Sequence, residues 1–147
     1  MSVLKIILLI VIALPILGAG SFYFLAQQSK KNDAPGLVGG VLAECPSSPN
    51  CVRSEAGTPP THAVVALPLL VWDQLAAVVE QTGGVITAQN ENYLAAEYYS
   101  KLFGFVDDVE FRKASDAVHV RSASRVGHSD MGANKKRISE LREASQE

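Results

Sequence analysis

The chain has 147 residues, 48% of them hydrophobic, and a formal net charge of −2. That suits one small globular domain plus an accessory segment and excludes two ordinary domains. The charge balance argues against a nucleic-acid partner, which needs a basic surface, and against a disordered acidic chain.

The first element in chain order is an uncharged run from Ile6 to Ala26, IILLIVIALPILGAGSFYFLA. About 20 apolar residues at about 1.5 Å per residue cross the roughly 30 Å hydrocarbon core of a bilayer. Phe22, Tyr23 and Phe24 suit an interfacial aromatic belt, and Pro15 and Gly18 are tolerated in lipid. A cleaved signal peptide is the rival reading, with Lys5 as a thin basic start and Gly18-Ala19-Gly20 as small residues for cleavage. The run continues past those small residues, which is long for a signal peptide, and no Cys follows them for lipoprotein processing. Residues 1–26 are therefore read as an uncleaved single-pass transmembrane anchor. Orientation is nearly tied by charge, because Lys5 and the amino terminus face Lys30 and Lys31 across the span.

Residues 27–61 are read as a tether and a Cys-Pro loop. Gln27 to Gly40 is polar and glycine-bearing, and Val41 to Thr61 holds four prolines and both cysteines. Cys45 and Cys51 stand in CPSSPNC. Two thiolates leave a tetrahedral zinc site half filled, with only His62 nearby, and the two-residue spacing of a redox motif is absent. A disulfide is preferred over two free thiols. It would close a ring worth roughly 2.4 kcal/mol in the chain-entropy model. Such a bridge implies an oxidising compartment, so the C-terminal part is expected on the periplasmic or extracytoplasmic side of the cytoplasmic (inner) membrane.

Residues 62–147 are read as an α+β globular domain. His62 to Leu67 is rich in strand formers, and Trp72, Leu75, Ala76 and Val79 follow at helical spacing up to Gly83-Gly84. Val85 to Ala88 and Tyr93 to Ser100 flank an Asn-rich turn, and Phe105 to Lys113 and Ala117 to Ala123 flank another. Met131, Ile138 and Leu141 mark the apolar face of a closing helix. Consecutive hairpins make an antiparallel sheet of four to five strands, with the two helices packed on one face.

Alternation along Phe105 to Lys113 sorts its acidic residues. Asp107 falls with the apolar side chains, whereas Asp108 and Glu110 share the other face with Arg112. Two registers pair the outer face with the next strand. One sets Asp108 opposite Arg121 and Glu110 opposite His119, and a slip of two sets Glu110 opposite Arg121. Cross-strand pairs of this kind contribute about 0.2–1 kcal/mol each and need no function. These three acidic residues are accordingly read as structural, with Asp107 accepting hydrogen bonds from the Ser122 to Arg125 segment.

The following loop, SASRVGHSD, suggests two chemistries. Ser124, His128 and Asp130 are the ingredients of a hydrolase triad, but the G-x-S-x-G context is absent and Asp130 suits a helix cap. Arg121 and Arg125 around Ser122 and Ser124 could instead cradle a small anion. Adjacent Asp residues on a strand point apart, and neither the EF-hand nor the H-E-x-x-H spacing occurs, so no metal or other cofactor is expected.

CPSSPNCVRSEA at Cys45 to Ala56, the Trp72 helix, FGFVDDVEF at Phe103 to Phe111 and VRSASRVGHSDMGANKKRI at Val120 to Ile138 resemble the domain of unknown function 1499. The similarity covers roughly Glu44 to Glu143. It implies a one-domain envelope or membrane-associated module, found in bacteria and plastids, and supplies no activity. Within its motifs Arg121, Ser122, Ser124, Arg125 and Asp130 become candidates for a shared site. The expectation is a membrane-anchored module that binds or scaffolds, with an envelope protein or small anionic ligand as partner. The alternative is an envelope hydrolase acting through Arg121 to Asp130.

Overall fold

The apolar run folds as a single helix, α1 (Val3–Ser29, 27 residues), with Pro15 inside it. In this computed structural model the described residues are 2–69 and 72–146. The side chains of α1 from Val3 to Leu25 lie almost wholly outside the protein interior, and only Ala26 and Ser29 are buried. Its length and apolarity are those of a membrane-crossing helix or a signal sequence.

A two-stranded hairpin follows, β1 (Leu37–Val38) with β2 (Val41–Leu42). Cys45 and Cys51 form the disulfide, their Cα atoms 5.6 Å apart. Then come β3 (Cys51–Arg53), β4 (Leu67–Pro68), α2 (Trp72–Gln81), β5 (Val85–Gln89) and β6 (Tyr93–Tyr99). The chain closes with β7 (Val106–Lys113), β8 (Ala117–Ser124) and α3 (Ala133–Ala144). The main sheet is antiparallel and five strands wide in the order β3-β8-β7-β6-β5, with β4 beside β3 along the edge of β8. The class is α+β, with two helices on one face of the sheet.

The core forms where alternation directs apolar side chains toward those helices. Leu75 and Val79 of α2 and Ile138 and Leu141 of α3 pack with Leu94, Val109, Phe111, Val118 and Val120 of the sheet. Each fully buried aliphatic side chain of this size contributes about 1.5–3 kcal/mol. Trp72 joins them and donates its indole N–H to the Asn90 carbonyl at 2.7 Å, tying α2 to the β5–β6 turn.

Two expected elements differ. His62 to Leu67 is not one strand, because only Ala63 bridges Arg53 and only Leu67 and Pro68 reach the β8 edge. β3 occupies that edge at residues 121–123, so the segment must pass β3 before it can pair. Met131 lies outside α3, almost fully exposed with φ 54°, and buried Asn134 faces inward instead.

Candidate functional site

The sheet face turned away from α2 and α3 carries most of the sheet's acidic and basic side chains. Register and alternation place Glu97 of β6, Asp108, Glu110 and Arg112 of β7, His119 and Arg121 of β8 and Arg53 of β3 there. This face is covered rather than solvated. The last turn of α1, Gly36 and Leu42 all bond into it, and Asp108, Glu110 and Arg121 are at least nine-tenths buried. The outer face, which helices on one side of the sheet alone would leave open to solvent, is covered because the segment between α1 and β3 folds back over it.

Three clusters result. In the first, the Arg125 guanidinium grips Asp108 through Nε (2.8 Å) and Nη2 (2.6 Å), reaches Glu97 at 2.6 Å and donates through Nη1 to the Ser29 carbonyl at 3.2 Å. The Asp108 hydrogen bonds, outweighing desolvation, push the Arg125 pKa above its ordinary value. Burial raises Glu97, but Tyr99 and Arg125 outweigh it and hold the carboxyl below its usual range. Val106 N–H meets Ser29 Oγ at 3.1 Å beside this clamp, and Phe22 of α1 stacks on Phe103 at 5.5 Å. The end of α1 is thereby docked onto the start of β7.

The second cluster is built on Glu110, which is fully buried. Arg121 Nη1 donates to it at 2.9 Å, Tyr93 O–H at 2.8 Å and Gly36 N–H at 2.9 Å. Burial dominates and raises the Glu110 pKa despite these donors. The register is thus the slipped alternative, Glu110 opposite Arg121 and Asp108 opposite Ala123, so Asp108 pairs with Arg125 and not with Arg121. In the third, Arg112 clamps Glu55 at 2.6 and 2.7 Å while Leu42 N–H adds 3.2 Å. Desolvation raises Glu55, and the Arg112 and Leu42 hydrogen bonds with the surrounding positive charge reverse it to a net lowering.

On the helix face, Asp107 accepts from Arg137 Nη2 of α3 at 2.7 Å, not from the Ser122 to Arg125 segment. The same guanidinium lies 4.8 Å over the Tyr98 ring and donates to Asn134 Oδ1 and Ser122 Oγ. Asn134 in turn bonds Ser124 Oγ and the Asn50 carbonyl. The N-cap position of α3 is Gly132 and not Asp130, but the Asp130 carboxylate, two residues earlier, still caps the helix end by accepting Gly132 N–H at 3.0 Å and Asn134 N–H at 2.7 Å. Burial raises Asp130, but those backbone donors lower it overall.

The six loop candidates therefore do not converge. Arg121 and Arg125 face one side of the sheet, Ser122 and Ser124 face the other, Asp130 sits at the α3 terminus and His128 is exposed. Among the described residues no hydrogen bond joins Ser124, His128 and Asp130, and no group of acidic, His or Cys residues could hold a metal. An open groove of about 470 Å³ between Val64, Val65, Ile138 and Arg142 contains none of them. Missed altogether were Arg53, Glu55, Tyr93 and Glu97. Arg53 and Glu55 stand in CVRSEA, at the disulfide, where no alternation or spacing marks them as partners of the sheet.

The family comparison matches residues 41–144 to "Protein of unknown function (DUF1499)". The chain belongs to the DUF1499 family. No curated protein and no solved structure matches it. The DUF1499 match begins at β2 and ends with α3, so it takes in all three charged clusters but not Ser29 or Gly36.

Proposed function

We propose that this chain is a single-pass module of the cytoplasmic membrane whose C-terminal domain stands on the extracytoplasmic side and binds or scaffolds at the envelope. The supporting observation is the docked end of α1. Ser29 bonds Val106 and Arg125 while Phe22 packs on Phe103, so the domain is held against the helix rather than swinging on a linker. A rigid junction suits a part that presents a surface at fixed height above lipid. Of the side chains that a hydrolase reading would use, Ser124 bonds Asn134 and Asp130 caps α3, while His128 stands exposed. The disulfide supports an oxidising compartment.

Intact mass and N-terminal sequencing of the chain purified from membranes test the anchor. The reading predicts that Val3 to Ala26 is retained and that carbonate does not extract the protein. A mature chain starting near Ser21 contradicts it.

A further inference from the structure

We propose that Arg53 and Arg121 form a binding site for a singly charged oxyanion of the carboxylate or phosphodiester kind. β3 and β8 set the two arginines directly opposite each other on the covered face of the sheet, and each is more than nine-tenths buried. Side chains so placed have Cβ atoms roughly 4.5–5.5 Å apart, and like charges there repel. A buried cation is normally paired. Among the described residues Arg53 makes no side-chain hydrogen bond or ion pair, and Arg121 has one carboxylate, Glu110 at 2.9 Å. The Nε atoms of both are buried without an acceptor.

Neighbouring carboxylates do not fill the gap. Both Glu55 oxygens are engaged by Arg112, and both Asp108 oxygens by Arg125. Arg125, an anion candidate by sequence, is likewise engaged at all three nitrogens by Asp108, Glu97 and the Ser29 carbonyl. At this end of the face two guanidinium groups meet the single Glu110 carboxylate, so a monoanion between them would be reached by donors of both. The remaining donors are planar forks, whose geometry matches two coplanar oxygens. The site gives the binding reading above a ligand class, and it does not depend on whether α1 is in a bilayer.

The test uses the full chain in dodecyl maltoside, with sodium acetate and dimethyl phosphate as probes against chloride at equal ionic strength. A second arm compares nanodiscs of phosphatidylcholine with and without phosphatidylglycerol. Thermal unfolding of the wild type should rise by about 4 °C or more at saturating probe if the ligand is free. It should rise only with phosphatidylglycerol if the oxyanion is a lipid headgroup. In either case Arg53→Gln should abolish the rise, and its Tm in chloride should equal or exceed that of the wild type, because an unpaired buried cation has been removed. Should that variant not fold, the Arg53 Nε–H resonance of the wild type must move in the same arm. A wild-type Tm indifferent in both arms, a rise of equal size in Arg53→Gln, or an unmoved resonance overturns the proposal.

Discussion

Asp107 and Asp108 point to opposite faces of β7, and each meets a different arginine. The Asp108–Arg125 clamp is the better buried of the two. Asp108→Ala strands that arginine beside Glu97 and should cost about 3 kcal/mol, as expected for breaking a buried pair. Asp107→Ala should cost about 1–2 kcal/mol. Urea melts of the two variants check the order, which is the reverse of what strand alternation alone suggests. Gly83 and Gly84 end α2 for different reasons. Gly83 adopts φ +92°, whereas at Gly84 a Cβ would lie 2.7 Å from Val79 Cγ1 and 2.8 Å from the Tyr98 ring. Gly84→Ala should therefore destabilise by about 1–3 kcal/mol through overpacking. Asp130 has a pH signature. Burial raises its carboxyl, but the backbone donors hold it below the usual carboxylate range, so its contribution is present above the unfolded pKa and lost as pH falls through the folded one. Asp130→Ala should lose about 1 kcal/mol at pH 7, and the gap to the wild type should narrow as pH is lowered, in stability curves measured at stepped pH.

At the scale of elements, local pattern carried far. The Trp72, Leu75 and Val79 spacing foretells α2, and both hairpins fall within a residue or two of their expected positions. Asn90 shows why the turn was readable: its side-chain oxygen accepts the N–H groups of Asn92 and Tyr93. Register was less legible, because both alignments of β7 with β8 keep the apolar faces together. The slipped one brings Glu110 to Arg121, under Gly36 and beside Tyr93, contacts separated by up to 74 residues in sequence. The covering of the charged face was invisible for the same reason, since Gly36 and Leu42 act there through backbone N–H groups that every residue but proline owns. Arg137 was missed because a basic residue on a helix reads as solvated until the sheet supplies Asp107 and Tyr98. The Cys45–Cys51 bridge was legible from spacing. Changing both cysteines to Ser should cost about 2 kcal/mol by the loop-entropy argument, visible as a lower urea midpoint under non-reducing conditions.

For the whole molecule, the docked α1 terminus fixes where the domain sits. Phe22 belongs to the apolar run, and Phe103 and Phe105 close around it at 5.5 and 6.4 Å. If residues 6–26 span the bilayer, the Ser100 to Gly104 turn lies at the lipid interface, with Leu102 83% exposed beside Lys101 and Lys30 close to Gly104. The β7–β8 turn at Ser115 lies at the far end of an eight-residue strand, roughly 26 Å away at about 3.3 Å per residue. Because both native cysteines are bridged, one added cysteine can be labelled alone. The decisive measurement is nitrobenzoxadiazole fluorescence from Leu102→Cys and Ser115→Cys in vesicles carrying lipid spin-labelled near the headgroup end of the acyl chain. The account predicts strong quenching at position 102 and little at 115. Equal, weak quenching at both positions would contradict a domain docked on a membrane-spanning helix.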